Sequence, residues 1–309
     1  MENKIKKTML KLIAMLLCTA LLMTGIGASA ISEATPDNAT PSDASIETPL
    51  DDSSEKDTDA ERKEASIIGE IDDKREESVK HFMLDDRSSV AVQYAFPVHF
   101  KEADSEEWVD YDNTLEPATL TKEEAKREDS RSIEASIRDM KQAKTSDNTV
   151  RLANETKEDG MISFSRNGYD VSWGYEGAEK KNLEIKENNE KLTGNDRFTT
   201  LTKVTSEAWY YDVYENVDLQ TIINPTGIKE NFVLKNEKAQ NEFIINYDVS
   251  NLKAHQANEK TIELVNSEKE VIYTISAPYM EDAKGETRTD LKLEIVEQNA
   301  NRLKCKVVK

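Results

Sequence analysis

From Val90 onward the chain alternates. Val90, Val92, Tyr94, Phe96, Val98 and Phe100 occupy every second position, with Ala91, Gln93 and Ala95 between them. That is the period of a strand with one face buried. Pro97 lacks an N–H donor, so the run is expected at a sheet edge or a bulge. The same period returns in Tyr169/Val171/Trp173, Trp209/Tyr211/Val213, Val217/Leu219/Ile223 and Ile228/Phe232/Leu234. It continues in Phe243/Ile245/Tyr247/Val249, Ile262/Leu264, Val271/Tyr273/Ile275, Leu291/Leu293/Ile295 and Leu303/Cys305/Val307. Short strands separated by polar turns predict a mainly β protein, an antiparallel β-sandwich or open barrel-like sheets.

Two turns are predicted from their chemistry. Asn224-Pro225-Thr226-Gly227 joins two of these runs, Pro225 presetting φ and Gly227 closing the loop. Asn167-Gly168 separates Ile162–Phe164 from Tyr169–Trp173 and is a strong hairpin signal. Residues 118–148 break the pattern: they lack Gly, Pro and aromatics and hold seven acids against seven bases. Thr121 and Glu124 fit a capping box, and Ile133, Ile137 and Met140 form a thin apolar stripe. A short charged helical insertion is expected, standing partly off the core.

The N-terminus reads differently. Lys4, Lys6 and Lys7 precede an apolar run from Leu12 to Met23, followed by Ala28-Ser29-Ala30. These are the parts of a secretory signal peptide over residues 1–30, and the apolar run is short of the roughly 20 residues of a membrane span. Cys18 lies mid-run after Leu17, which argues against lipid attachment. Residues 31–78 have no aromatic and carry sixteen acids against five bases. Such a segment cannot offset its ordering entropy and is read as a disordered acidic Pro/Ser/Thr-rich spacer. The β-rich domain is expected over 79–309, and the exported product outside the cell or on the wall. No integral membrane segment is expected after cleavage.

The whole chain holds 61 acids against 41 bases, a formal charge of −20. That balance argues against nucleic-acid partners, because phosphate binding needs Lys and Arg to release counterions. Candidate chemistry is sparse. There is no G-x-S-x-G or H-E-x-x-H motif. His81, His99 and His255 are scattered, and His99 is placed on the face opposite Val98 and Phe100. Cys305 alternates with Leu303 and Val307 and points inward. Asp110, Asp112 and Asn113 make the most calcium-like group but lack the glycine turn and distal Glu of a dedicated loop. The expectation is therefore no catalytic residue, cofactor or metal. An exposed binding face would use Trp108 or Tyr210. Trp173 and Trp209 are assigned to the core.

Four blocks together resemble a known family. AVQYAFPVHFKEADSEEWVDYDNTL (Ala91–Leu115), YDVSWGY (Tyr169–Tyr175), YENVDLQTIINPTGIKENFVLKN (Tyr214–Asn236) and EVIYTISAPYMEDAKGE (Glu270–Glu286) occur in order. They are similar to blocks in the N-terminal leader region of secreted, wall-associated RHS/YD-repeat proteins of Gram-positive bacteria. The resemblance covers about residues 80–300. It implies a non-enzymatic β-rich leader module with a structural or interaction role at the envelope, beside downstream RHS-repeat modules. No tyrosine-aspartate repeats or toxin domain occur in this sequence, so those roles do not carry over. Two rival readings stay open: a module binding cell-wall glycan or another surface protein, and a secreted hydrolase with dispersed carboxylates.

Overall fold

The structure, a computed structural model, describes residues 15–22, 65–102, 105–186 and 203–308. The Ala28-Ser29-Ala30 signature and most of the spacer lie outside these residues. Numbered along the chain, the first strands are β1 (Met15–Leu22), β2 (Ile67–Glu70), β3 (Val79–Leu84), β4 (Ser89–Gln93), β5 (His99–Lys101), β6 (Trp108–Asp110) and β7 (Asp112–Pro117). Helix α1 (Ser130–Ile137) precedes β8 (Met140–Thr145), β9 (Thr149–Ala153), β10 (Ile162–Arg166), β11 (Tyr169–Tyr175) and β12 (Leu183–Lys186). Then come β13 (Ser206–Tyr214), β14 (Val217–Asn224), β15 (Gly227–Leu234), β16 (Glu242–Asp248), β17 (Lys253–Asn258) and β18 (Thr261–Val265). The last are β19 (Val271–Ile275), β20 (Tyr279–Glu281), β21 (Thr287–Arg288), β22 (Lys292–Gln298) and β23 (Arg302–Val308).

Two large antiparallel sheets carry the core. One runs β12-β13-β14-β15-β1-β19-β18-β17, with β20 and β21 attached beside β1; the other runs β22-β23-β16-β11-β10-β9-β8-β7. Their inner faces meet through aromatics. Phe232 of β15 stacks on Phe243 of β16 at 4.0 Å and meets Tyr175 of β11 edge-on at 5.3 Å. Phe164 and Tyr273 make a second edge contact at 5.6 Å. Each such side chain taken fully out of water adds roughly 1.5–3 kcal/mol. This is the mainly β, antiparallel architecture that the alternation predicts.

Both predicted turns form. Asn224 pairs with Gly227 across Pro225-Thr226, and the Asn224 Oδ1 accepts the Thr226 N–H at 2.9 Å. Asn167 and Gly168 both take positive φ, 53° and 79°, the geometry of a type I′ turn.

Three expectations change. Strand β2 lies inside the segment read as spacer and pairs with β3, so pairing begins before residue 79. The insertion is less helical and less detached: a single short turn at Glu124–Lys126 and the eight residues of α1 are followed directly by strand β8. Ile137 and Met140 are buried, which docks it on the core. The capping box is present, with Thr121 N donating to Glu124 Oε2 at 2.8 Å and Glu124 N to Thr121 Oγ1 at 3.1 Å. Third, the apolar run of the signal supplies β1, a strand within the first sheet. No helix among the described residues is long and apolar enough to cross a membrane.

Candidate functional site

Five charged or titratable side chains from β2, β3, β5, β6 and the turn after β2 converge at the N-terminal end of the fold. Lys80 Nζ donates to Glu70 Oε2 at 3.0 Å and to Asp110 Oδ1, and it meets His99 Nε2 at 3.2 Å. His99 is fully buried, with Nδ1 2.6 Å from the Glu76 carbonyl. A carbonyl only accepts, so Nδ1 carries the proton and donates. Arg75 closes the other side: Nε donates to Glu70 Oε1 at 2.8 Å and one terminal nitrogen to Asp110 Oδ2 at 3.0 Å. Burial alone would raise the Glu70 carboxyl, but hydrogen bonds from Arg75 and Lys80 outweigh it and hold the group below the usual carboxylate range.

Glu70, His99 and Asp110 offer ligand atoms within 4.8 Å of one another, a spacing that suits a divalent ion. The Lys80 ammonium already stands among all three, its three protons matched by Glu70, Asp110 and His99. The set is built around an internal cation. The expected Asp110/Asp112/Asn113 group does not assemble either. Asp112 accepts the Thr114 N–H at 3.1 Å, while buried Asn113 turns its Nδ2 to the Val204 carbonyl at 2.6 Å. His99 is buried together with Val98 and Phe100. The small β5-β6 sheet is covered on both sides, where strict alternation expects one.

The expected binding aromatics separate. Trp108 is half-buried on β6, with Lys101 Nζ 5.1 Å from its ring. Tyr210 is 0% exposed, and its hydroxyl donates to the Ala153 carbonyl at 2.6 Å, so it ties the two sheets together and offers no surface. Its neighbours take the outward positions instead. Ser206, Ala208 and Tyr210 face the core until a bulge at Asp212 (φ 55°) shifts the phase and turns Val213 and Tyr214 inward. Trp209, assigned to the core from its alternation with Val213, is therefore outward.

On that outer face Trp209 and Tyr211 stack, ring centroids 5.5 Å apart and planes 12° from parallel. Lys186 Nζ lies 4.2 Å from the Trp209 centroid and 5.9 Å from that of Tyr211. The indole N–H donates to Glu207. Across the sheet, Gln220 donates to Glu207 at 2.9 Å and Asn231 to Gln220 at 2.7 Å, in the register Trp209–Gln220–Asn231. The result is a flat aromatic patch, a cation above it and a row of amides beside it. Such a patch accepts planar or CH-rich ligands by stacking.

Sequence reasoning missed a buried carboxyl. Glu230 of β15 accepts the Trp173 indole N–H at 2.8 Å and the Tyr175 hydroxyl, deep between the sheets. Burial pushes it up to about 7, against the opposing effect of those two hydrogen bonds. The signal was there: Glu230 shares the parity of Ile228, Phe232 and Leu234. Cys305 behaves as expected, a buried thiol raised by desolvation.

No family model matches the chain, and no solved structure does. Among curated proteins it is 24% identical over 245 residues to the tRNA3(Ser)-specific nuclease WapA of Bacillus spizizenii. It is also 24% identical to the tRNA nuclease WapA of Bacillus subtilis strain 168 and 23% identical to the tRNA(Glu)-specific nuclease WapA of Bacillus subtilis subsp. natto, over the same length. The relatives are tRNA nucleases by name. The match takes in 79% of this chain and 9% of each relative. These names overturn the resemblance to a non-enzymatic RHS/YD-repeat leader, together with the wall-module role and the downstream repeat partners inferred from it. They also overturn the exclusion of nucleic acid. The physical flaw in that exclusion is that a whole-chain charge says nothing of a local face, and −11 of the total belongs to residues 31–78.

Proposed function

We propose that this chain is an exported, RNA-contacting segment of a WapA-like tRNA nuclease, and that it meets RNA on the outward face around Trp209 and Tyr211. The observation that carries this reading is the stacked indole–phenol pair with the Lys186 ammonium above it. The names of the relatives supply the polymer. Aromatic platforms hold unpaired bases at about 1–3 kcal/mol per base. Lys186 adds one cation for a phosphate, and the neighbouring half-buried Gln220 amide offers a polar edge. With a chain charge of −20 the contact is led by stacking, so its salt dependence is shallow. Export is assigned to the signal in residues 1–30, with the acidic stretch ahead of β2 as a spacer before the β-rich part.

The test is titration of the full chain with deacylated tRNA and with a single-stranded oligoribonucleotide, followed by tryptophan fluorescence and by gel analysis for cleavage. Saturable quenching is expected, with W209A and Y211A each weakening binding on the order of tenfold. Absence of both binding and cleavage at low salt rejects the reading.

A further inference from the structure

Strand β1 fills a gap between parts of the first sheet that lie far along the chain. Its eight residues pair antiparallel with the whole of β15, from Met15 opposite Leu234 to Leu22 opposite Gly227. Its other edge pairs with β20, Leu16–Cys18 against Glu281–Tyr279, and with β19, Leu21 and Leu22 against Ile275 and Thr274. Among the described residues, no pairing joins β15 directly to β19 or β20. Without β1 the sheet divides into β12–β15 and β17–β21, each with a row of unmet N–H and C=O groups facing the other. An open edge of this kind is a template for another strand. On the β15 bank, β14 holds the far side through eight paired positions, and Ile228, Phe232 and Leu234 anchor the strand in the core.

The residues of β1, MLLCTALL, are also the apolar centre of the segment read as an export signal. Cleavage after Ala30 removes them. We propose that the slot between β15 and β19–β20 is a strand-acceptor site. In the exported chain it takes an uncharged, apolar β-strand of a partner polypeptide, antiparallel to β15, in the place that β1 fills. The register on β15 sets the length at eight residues, the pairing on both banks sets the direction, and the uncharged sequence of the resident strand sets the polarity. Main-chain hydrogen bonds supply the affinity of such additions and alternate side chains supply the specificity. The site is a sheet edge distinct from the Trp209 face, and it rests on the export reading.

The experiment compares the full chain, made without processing, with the product recovered from the medium of a Gram-positive host. Mass measurement first shows whether residues 15–22 are lost; their retention overturns the export reading on which the site rests. Hydrogen exchange then reads β15. Loss of protection over Gly227–Leu234 in the exported product is expected, and its restoration by a synthetic MLLCTALL peptide flanked by lysines. Cys18 stands opposite Asn231 in the register. The peptide is therefore expected to form a disulfide with exported N231C and not with K229C or V233C. Unchanged protection of β15 in the exported product overturns the proposal, because the sheet has then closed on itself. Protection that grows with protein concentration alone also overturns it, because a second copy is then the occupant.

Discussion

Arg151 of β9 grips Glu124 with both terminal nitrogens, at 2.8 and 2.7 Å, while its Nε donates to Gln142 at 2.8 Å. One terminal nitrogen also donates to the Thr119 carbonyl at 3.0 Å. A single guanidinium thus pins the start of the insertion to the second sheet. Both side chains are largely out of water, and removing one partner of such a pair costs roughly 3–5 kcal/mol. Arg151→Ala is expected to lower the urea midpoint and to loosen residues 118–137 first, which hydrogen exchange resolves.

Glu230 gives the protein a pH dependence of a definite sign. Its folded value of about 7 lies above the ordinary 4.5. Below the lower value the carboxyl is protonated in both states and its stability is fully present. Between the two, the folded state holds a proton that the unfolded state releases, so stability falls as pH rises and levels off above the folded value. Glu230→Gln keeps an acceptor for Trp173 and is expected to flatten the stability profile between pH 4.5 and 7. A wild-type profile that rises through that interval contradicts the assignment.

Lys80 is the resident cation of Glu70, His99 and Asp110. Lys80→Ala removes one of the two cations that hold Glu70 and Asp110, leaving only Arg75, and is expected to cost about 3–5 kcal/mol. The same variant frees three ligands at metal spacing. Zinc is expected to raise the melting temperature of Lys80→Ala and to leave that of the wild type unchanged. A calorimetric titration checks the stoichiometry.

Gly174 of β11 lies against the backbone of another segment. A Cβ placed there would stand 2.4 Å from the Lys157 carbonyl oxygen and 2.6 Å from the Glu158 carbonyl carbon. Backbone cannot swing aside as a side chain can. Gly174→Ala is therefore expected to destabilise by about 1–3 kcal/mol, measured by chemical unfolding. Gly160→Ala, with open space around its Cβ, tests only the strain of its positive φ.

The strands were legible because burial on one face leaves a period of two, and the turns because Pro225, Asn167 and Gly168 carry their geometry in their own side chains or lack of them. The outward Trp209 was not legible, since the Asp212 bulge that shifts β13 has no marker in the residues around it. The Lys80–His99 cluster was hidden for another reason: it joins residues from Glu70 to Asp110 that only the folding of four short strands brings together. The acidic total concealed the aromatic face for the same kind of reason, because composition averages over positions that the sheet keeps apart.

The register of β1 also sets a schedule. Residues 15–22 are synthesised more than 200 positions before Gly227–Leu234, the strand that they meet. At about 5–20 residues per second, that leaves a delay of roughly 10–40 s. Throughout that interval the apolar run has no bank to pair with and stays available to whatever reads a nascent N-terminus. The gap in the sheet thus orders events in time, since the chain completes the run's resting place only at the end of that interval.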